Sequence, residues 1–492
     1  MNALPHNILI VGGGTAGWMT ACYLARAHEL QQANVATPSS CNITLLESNT
    51  IGTIGVGEGS TPYLRHFFSY LGVNEEEWMP ACSATYKMGI NFEGWNTPHT
   101  TTSYFHPFFS ELDFTTANQF FDAVNARRKG AATDVNPAHY FSAAQMVKQH
   151  IAPTDIDKKI QLDYAYHFDA GLLGEFLKAY ALKKGVTHKV GTVTDVVATS
   201  ENIQSVATDL HGQLNADLFI DCSGFAGLLG KQALARPFTS FSDTLYNDAA
   251  VAIATPQTLG AAPQYQTRSI ALKHGWQWEI PLTSRVGNGY VYSSQFCSKN
   301  DAEDELRQAL QIGDGDARHL KMEVGRLNEH WQGNCLSIGL SQGFIEPLEA
   351  TALMLVQYAL HHFIDSWQHN ATPSLAQPAY NKEMNRMFDG IRDYIAAHYY
   401  LNTRTDSAYW RACRNDIKVP DTLAFLLKAW DSGERFETAL NAVDANLVYL
   451  RPSWYCIFAG MQRFSHQVNH TKSNVGALQS LSETLRQHQR KP

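Results

Sequence analysis

Much of what this chain could be is excluded by what it lacks. None of its apolar runs reaches the roughly 18 residues that a membrane helix needs, so a membrane span is not expected. Charged residues make up only 17% and the net charge is −8, which leaves no electrostatic footprint for nucleic acid or an anionic membrane. The eight cysteines (Cys22, Cys41, Cys82, Cys222, Cys297, Cys335, Cys413 and Cys456) form no C-x-x-C pair and sit mostly among apolar neighbours. Free, buried thiols in a reducing cytoplasm are expected. None of the twenty histidines falls into an H-E-x-x-H spacing, and His361 and His362, being adjacent, would point in different directions on a helix. No metal site is expected. Repeats and low-complexity tracts are missing too, and the opening MNALPHNILIVGGG shows no signal-peptide pattern.

What is there is a folding composition. At 44% apolar and 492 residues the chain can build a sizeable core, and its length implies about three domains or one composite fold. Ten Trp, 21 Tyr and 24 Phe make it somewhat rich in aromatics, which suits a site that handles flat organic rings. Asn7–Val11 reads as a buried strand, followed by a Gly-rich turn and a helix to about Arg26. A polar stretch, Gln31–Cys41, precedes a second strand, Asn42–Leu46. This is the opening of a doubly wound parallel sheet. Gly171–Lys184 has helical spacing, Thr187–Val197 and Ile203–Leu210 read as strands, and Ala216–Asp221 as a further buried strand. From Asp301 onward helices are expected to dominate: Asp301–Leu310, Ala350–Gln368, Tyr380–Tyr399, Ala445–Arg451 and Val475–Gln489.

Gly12, Gly14 and Gly17 make the G-x-G-x-x-G of VGGGTAG. The first permits the tight turn, the second lets backbone approach a pyrophosphate at the helix N-terminus, and the third allows close helix–sheet packing. Glu47, ending the next strand, is suited to accept hydrogen bonds from ribose hydroxyls. A second glycine run, Gly55–Pro62 (GVGEGSTP), reads as a backbone strap near a ligand or an ordinary surface loop. Asp221-Cys222-Ser223-Gly224 reads as a turn at the sheet's carboxyl edge. No second G-x-G-x-x-G follows a strand, which predicts one bound dinucleotide and no dedicated NAD(P)H domain.

Trp276-Gln277-Trp278-Glu279-Ile280-Pro281 places two tryptophans on one face of an extended strand, as core or as an aromatic wall. This W-x-W-x-I-P, together with VGGGTAGWMTA (Gly12–Ala21 within it), GVGEGSTP, YKMGINFEGW (Tyr86–Trp95), FHPF (Phe105–Phe108), YHFDAG (Tyr166–Gly171) and GFIEPLEATA (Gly343–Ala352), resembles the flavin-dependent halogenases, specifically the tryptophan-halogenase family.

The resemblance implies an FAD-binding, Rossmann-like core of the flavin monooxygenase type with a mostly helical substrate-binding part. It implies FAD used as FADH2, O2, and chloride or bromide, with hypohalous acid formed at the flavin and used in a separate aromatic pocket. Lys87 matches the family's catalytic lysine, where an ammonium can hydrogen-bond and activate the oxidant or a neutral amine can form a haloamine. Glu349 matches the residue that stabilises the ring cation and accepts its proton; Glu346 reads instead as an acid at a helix N-terminus. Thr351 and Ala352 correspond to the halide site. Tryptophan-acting members usually read Glu-Ser-Thr-Gly here, and the methyl of Ala352 is expected to restrict φ and disturb halide selectivity. Thr15, Ala16, Gly57, Val193, Asp221, Leu340 and Leu353 join Gly12, Gly14, Gly17 and Glu47 as cofactor-binding positions. His106 and Phe108 match the pocket lining, and Trp454 and Tyr455 are candidate pocket aromatics. No clear counterpart exists for the polar residues that hold an amino-acid head group, Arg451 being the weak candidate. That favours indole or a larger indole-like or phenolic ring over free tryptophan.

The segments expected are 1–98 and 156–235 for the FAD core, 99–155 for an insertion toward the substrate pocket, 236–330 for the sheet bearing W-x-W-x-I-P, 331–365 for the FAD and halide segment and 366–492 for the helical C-terminal part. A separate flavin reductase and an aromatic small molecule are the expected partners, with a homodimer left open. The competing readings are a flavin monooxygenase that hydroxylates a ring, a halogenase for phenols or pyrroles, and a non-catalytic flavin-binding protein. Lys87, Glu349 and W-x-W-x-I-P weigh against the first and the last.

Overall fold

The computed structural model describes residues 2–33, 40–49, 57–96, 103–258, 260, 262–370, 372–465 and 474–490. The chain divides into two compact units, each assembled from three stretches: 1–84, 168–241 and 322–388 in the first, and 85–167, 242–321 and 389–492 in the second.

The first unit is built on a six-stranded sheet. Asn7–Val11 pairs in parallel with Asn42–Glu47 on one side and Leu218–Asp221 on the other. Thr187–Val190 and Cys335–Ser337 extend the parallel set outward, and Trp331–Gln332 closes one edge in antiparallel. Near-continuous apolar strands such as NILIV and LFID fit a sheet covered on both faces. Leu9, Val11, Leu46, Phe219 and Cys335 pack into one buried cluster against Ile203, Val206 and Leu229. The doubly wound class read from the sequence is therefore the fold of this unit.

The helix after the first strand runs Thr15–Gln32, past the expected end near Arg26, and takes in Gln31 and Gln32 from the start of the polar stretch; residues 34–39 of that stretch lie outside the described residues. Thr187–Val197 is two strands, Thr187–Val190 and Val193–Ala198. The strand-poor reading after Asp301 needs correcting as well. Arg318–Lys321, Gly325–Leu327, Trp331–Gln332, Cys335–Ser337 and Gly343–Phe344 are all strands. None exceeds four residues, so none offers a period to read.

The second unit has a seven-stranded mixed sheet: Arg318–Lys321, Ala249–Thr255, Val286–Tyr292, Gly275–Pro281, Thr267–Ala271, Gly89–Glu93 and Ser103–Pro107, in that spatial order. The W-x-W-x-I-P segment is the strand Gly275–Pro281. Trp276 and Trp278 are buried on one face with ring centroids 6.3 Å apart. Trp278 lies over Gly289 of the neighbouring strand, where a Cβ would come within 2.0 Å of its ring.

The expected helix Ala445–Arg451 is not formed. A short 3-10 turn covers Asp444–Asn446, and a helix begins at Arg451 and runs to Gly460. Pro452 explains the displacement. Proline breaks a helix interior but fits its first turn, so it marks this helix's start. Among the described residues, all eight cysteines are free and none of the helices is long and apolar enough to cross a membrane.

Candidate active site

In the first unit three turns meet at the carboxyl edge of the parallel sheet. Gly12 has φ +118°, and a Cβ there would fall 2.1 Å from the Cys222 carbonyl oxygen. A Cβ on Gly17 would fall 1.9 Å from the Gly12 carbonyl oxygen. Both positions therefore exclude side chains for packing reasons. Gly14 is different: among the described residues nothing lies within 4 Å of where its Cβ would be, and it begins the helix Thr15–Gln32 as N-cap. The helix N-terminus thus presents its free N–H groups to open space, an arrangement that suits a phosphate.

Around that turn, the Thr15 hydroxyl donates to the Ala170 carbonyl at 3.4 Å. Ala16 packs against the 3-10 turn Gly339–Ser341, which contains Leu340. Ile338 N–H donates to the Asp221 carbonyl at 2.9 Å. The Asp221 carboxylate is wholly buried and fully engaged within the fold. One oxygen accepts from Ser223, backbone and hydroxyl, and the other from the N–H groups of Leu229 and Gly230 at 2.9 Å. Asp221 thus shapes the turn through its own chain. Glu47 ends its strand beside Gly13, with its carboxylate 2.9 Å from His188 Nε2 and 3.5 Å from Lys178 Nζ. Val193 packs at the margin of the sheet's core, and Leu353 is buried in the helix Ala352–His369.

Gly57 is buried on the short strand Gly57–Gly59, whereas Gly55 and Val56 lie outside the described residues. Its neighbour Glu58, which sequence reading passed over, has its pKa pushed up to about 7 by burial and by the Asp169 carboxylate. The signal was available: it is the acid inside the glycine run.

Glu349 ends the 3-10 turn Pro347–Glu349 and is 6% exposed; Glu346, just before the turn, is fully buried, unlike a solvated N-terminal acid. Ala350 takes the left-handed conformation, φ +57°. Thr351 then caps the helix Ala352–His369, and its hydroxyl oxygen is buried with no hydrogen-bond partner among the described residues. Ala352 begins the helix with ordinary helical backbone. The restriction on φ expected from its methyl therefore does not arise there; the unusual φ belongs to Ala350. An orphaned buried hydroxyl beside unpaired helix N–H groups fits a small anion.

In the second unit Lys87 ends the three-residue strand Thr85–Lys87 and is 1% exposed. Its ammonium lies 5.5 Å from the centre of the Phe108 ring, within cation–π range. His106 is buried on the strand Ser103–Pro107, with Nε2 3.4 Å from the Tyr394 hydroxyl. Tyr394 links His106 to further aromatics: it stacks on Tyr449 at 3.7 Å and meets Trp454 edge-on at 5.0 Å. Sequence reading missed it, because one tyrosine among several on the long helix Pro373–Tyr400 carries no local mark. Trp454 is buried, and its indole N–H has no partner among the described residues. Tyr455 faces another cluster, with its ring 4.8 Å from Phe121 and its hydroxyl accepting from Asn125 at 2.9 Å. Arg451 lays its guanidinium over Phe121, 4.2 Å from the ring centre.

Among the described residues one trio, His274, Cys297 and Glu305, brings candidate metal-ligand atoms within 4.8 Å of one another. Its carboxylate already accepts from the Lys273 N–H at 2.7 Å and the Tyr290 hydroxyl at 3.0 Å, and burial pushes the Cys297 thiol up to about 11. The trio reads as a hydrogen-bonded corner of the sheet.

A parallel sheet with G-x-G-x-x-G at its first crossover defines a dinucleotide-binding protein of the doubly wound class. Comparison with known proteins narrows this. The tryptophan halogenase family model matches residues 7–476, and the chain belongs to that family of flavin-dependent halogenases. It is 38% identical to the tryptophan 6-halogenase SttH of Streptomyces toxytricini over 451 residues, covering 87% of this chain and 84% of that protein. It is 36% identical to the tryptophan 7-halogenase RebH of Lentzea aerocolonigenes, covering 94% and 90%. Among solved structures, the flavin-dependent halogenase BrvH from a Brevundimonas species superposes with a TM-score of 0.77 at 30% identity, over 98% of this chain and 95% of that one. The family implies FAD and a halide, with a separate flavin reductase. The open cradle at Gly14 and the orphaned Thr351 hydroxyl fit both groups.

Proposed function

We propose that this enzyme places a halogen on an indole-like aromatic ring, indole or a tryptophan derivative, using Lys87 and Glu349. When bound as FADH2, the cofactor supplies, with O2 and a halide, hypohalous acid. Gly12, Gly14, Thr15, Ala16 and Gly17 would hold the pyrophosphate at the helix N-terminus, with Glu47 on the ribose. Gly57, Val193, Asp221, Leu340 and Leu353 would shape the remaining walls. Thr351 and the N–H of Ala352 would hold the halide. Lys87 would bind and activate the oxidant. Glu349 would accept the proton that the ring loses. His106, Phe108 and Trp454 would hold the ring, with Tyr455 bracing the wall from the neighbouring cluster.

One observation carries this reading: Lys87 is an ammonium removed from water and set against the face of an aromatic ring. Lysines are rarely buried this fully, and a buried cationic side chain beside an aromatic ring is a recurrent feature of functional sites. The experiment is incubation of the protein with an aromatic panel, FADH2 from an added reductase, and bromide or chloride. Halogenated products that require both halide and reduced flavin are expected. Hydroxylated products instead would favour a monooxygenase.

The single dinucleotide motif predicts how the protein behaves alone. With FAD and NADPH but no reductase, NADPH oxidation should stay near background. Rapid oxidation followed by the loss of NADPH absorbance would favour a self-sufficient monooxygenase.

Substrate choice follows from charge. Burying the tryptophan zwitterion without dedicated partners costs on the order of several kcal/mol, and Arg451 is engaged on Phe121. Indole carries no such charge. Equimolar indole and tryptophan in competition should therefore yield mainly haloindole. Bromide, oxidised and dehydrated more easily, should serve at least as well as chloride in the same format. The SttH and RebH relatives are named for tryptophan, so a clear preference for tryptophan would place a head-group site in residues that remain to be identified.

A further inference from the structure

Near Lys87 lies a fully buried histidine that has no part in the chemistry proposed so far. His167 Nδ1 is 3.1 Å from the Thr85 hydroxyl oxygen, and its Nε2 is 2.9 Å from the Thr267 hydroxyl oxygen. The Thr85 hydroxyl is also 2.7 Å from the carbonyl oxygen of Pro281, the last residue of W-x-W-x-I-P. Proton counting fixes the directions of these bonds. A carbonyl can only accept, so the single Thr85 proton goes to Pro281. The Thr85 oxygen must then accept from His167, which puts the ring proton on Nδ1. Nε2 of a neutral ring accepts from Thr267. Burial and the Lys87 charge both hold His167 well below the usual histidine range, which keeps the ring neutral.

The network spans four strand segments. Thr85 pairs with His167 and Lys87 with Ala165 across an antiparallel pair only three residues long. Thr267 lies in the large sheet, paired with Ile90, and Pro281 ends the strand Gly275–Pro281. A three-residue strand has few backbone bonds to hold it in place. The side chains add bonds from that strand to the sheet, two residues from the lysine. Met88 N–H, donating to the Tyr265 carbonyl at 2.7 Å, adds one on the other side.

We propose that Thr85, His167, Thr267 and the Pro281 carbonyl form a positioning network for Lys87, in which an Nδ1-protonated imidazole ties the lysine's strand to the large sheet. The proposal rests on the role assigned to Lys87 under the proposed function. In the network the carbonyl that ends the W-x-W-x-I-P strand accepts from the strand that carries the lysine.

The test compares Thr85→Val, which keeps the branched shape but loses the hydroxyl, with Thr85→Ser, which keeps the hydroxyl. Each is assayed with supplied FADH2, bromide and indole. Thr85→Val should lose about tenfold or more in kcat with KM for indole within about twofold, as expected from losing a buried hydrogen bond that positions a reacting group. Thr85→Ser should stay within about threefold of wild type. Wild-type turnover by Thr85→Val, or equal losses in both variants, overturns the network. Lys87→Ala, run alongside, separates the two claims. If it is inactive while Thr85→Val is normal, the network alone is wrong. If it still halogenates, the lysine's role falls and the network's purpose with it. Nitrogen NMR of wild-type protein labelled in its histidines provides a readout that does not depend on variant stability. The His167 resonances, identified by their loss in His167→Gln, should show an Nδ1-protonated ring that does not titrate between about pH 6 and 8. An Nε2-protonated ring, or titration in that range, contradicts the proposal.

Discussion

Lys87→Ala is expected to cut halogenated product by about a thousandfold, the scale of losing a group that acts directly on the reacting atoms. FAD binding and FADH2 oxidation should stay within about twofold of wild type, because the proposed mechanism has the lysine act after the oxidant has formed. The physical basis is its environment. An ammonium 1% exposed and 5.5 Å from the Phe108 ring centre is poorly hydrated, and in such a low-dielectric setting its charge polarises a nearby oxygen more strongly than in water. Deleting a buried side chain also leaves a cavity, so Lys87→Met serves as the apolar control of similar length. Both variants should be equally inactive, measured as haloindole formed per reduced flavin consumed. Near wild-type product from either one removes Lys87 from the mechanism.

Glu349→Gln should lower product formation about a hundredfold while oxidant still forms. The amide is nearly isosteric, so the turn Pro347–Glu349 and the left-handed Ala350 after it should be retained. On the proposed role, what is lost is a negative charge that stabilises the ring cation and an acceptor for its proton. Oxidant is measured separately by a thioether trap added to the buffer. The expected pattern is undiminished trap oxidation with little haloindole. Unchanged haloindole formation would show that another base serves the ring. Loss of both readouts would instead place Glu349 at the halide step.

The parts of this molecule that could be read from sequence are those whose physics is local. The turn at Gly12–Gly17 was legible because close backbone approaches there admit no Cβ, and sequence records that requirement directly. The strand Gly275–Pro281 was legible from alternation. The strands of Arg318–Phe344 were not, because their pairing partners lie far away in the chain, as when Cys335–Ser337 pairs with Leu218–Asp221. The residues around Lys87 divide in the same way. Lys87, His106 and Phe108 stand in recognisable motifs. Tyr394 reaches His106 across 288 positions and His167 reaches Thr267 across 100, separations that no sequence window contains. The helix expected at Ala445–Arg451 lies instead at Arg451–Gly460, where Pro452 sits in its first turn.

The central claim is that the buried lysine serves halogen transfer to an aromatic ring, and mass spectrometry of the indole reaction in bromide tests it most directly. With FADH2 supplied by a reductase, wild-type protein should convert indole to a product showing the near one-to-one bromine isotope pair. That product should disappear without bromide, without reductase, and in Lys87→Met. A hydroxylated indole formed equally well with and without bromide, and retained in Lys87→Met, would contradict the account.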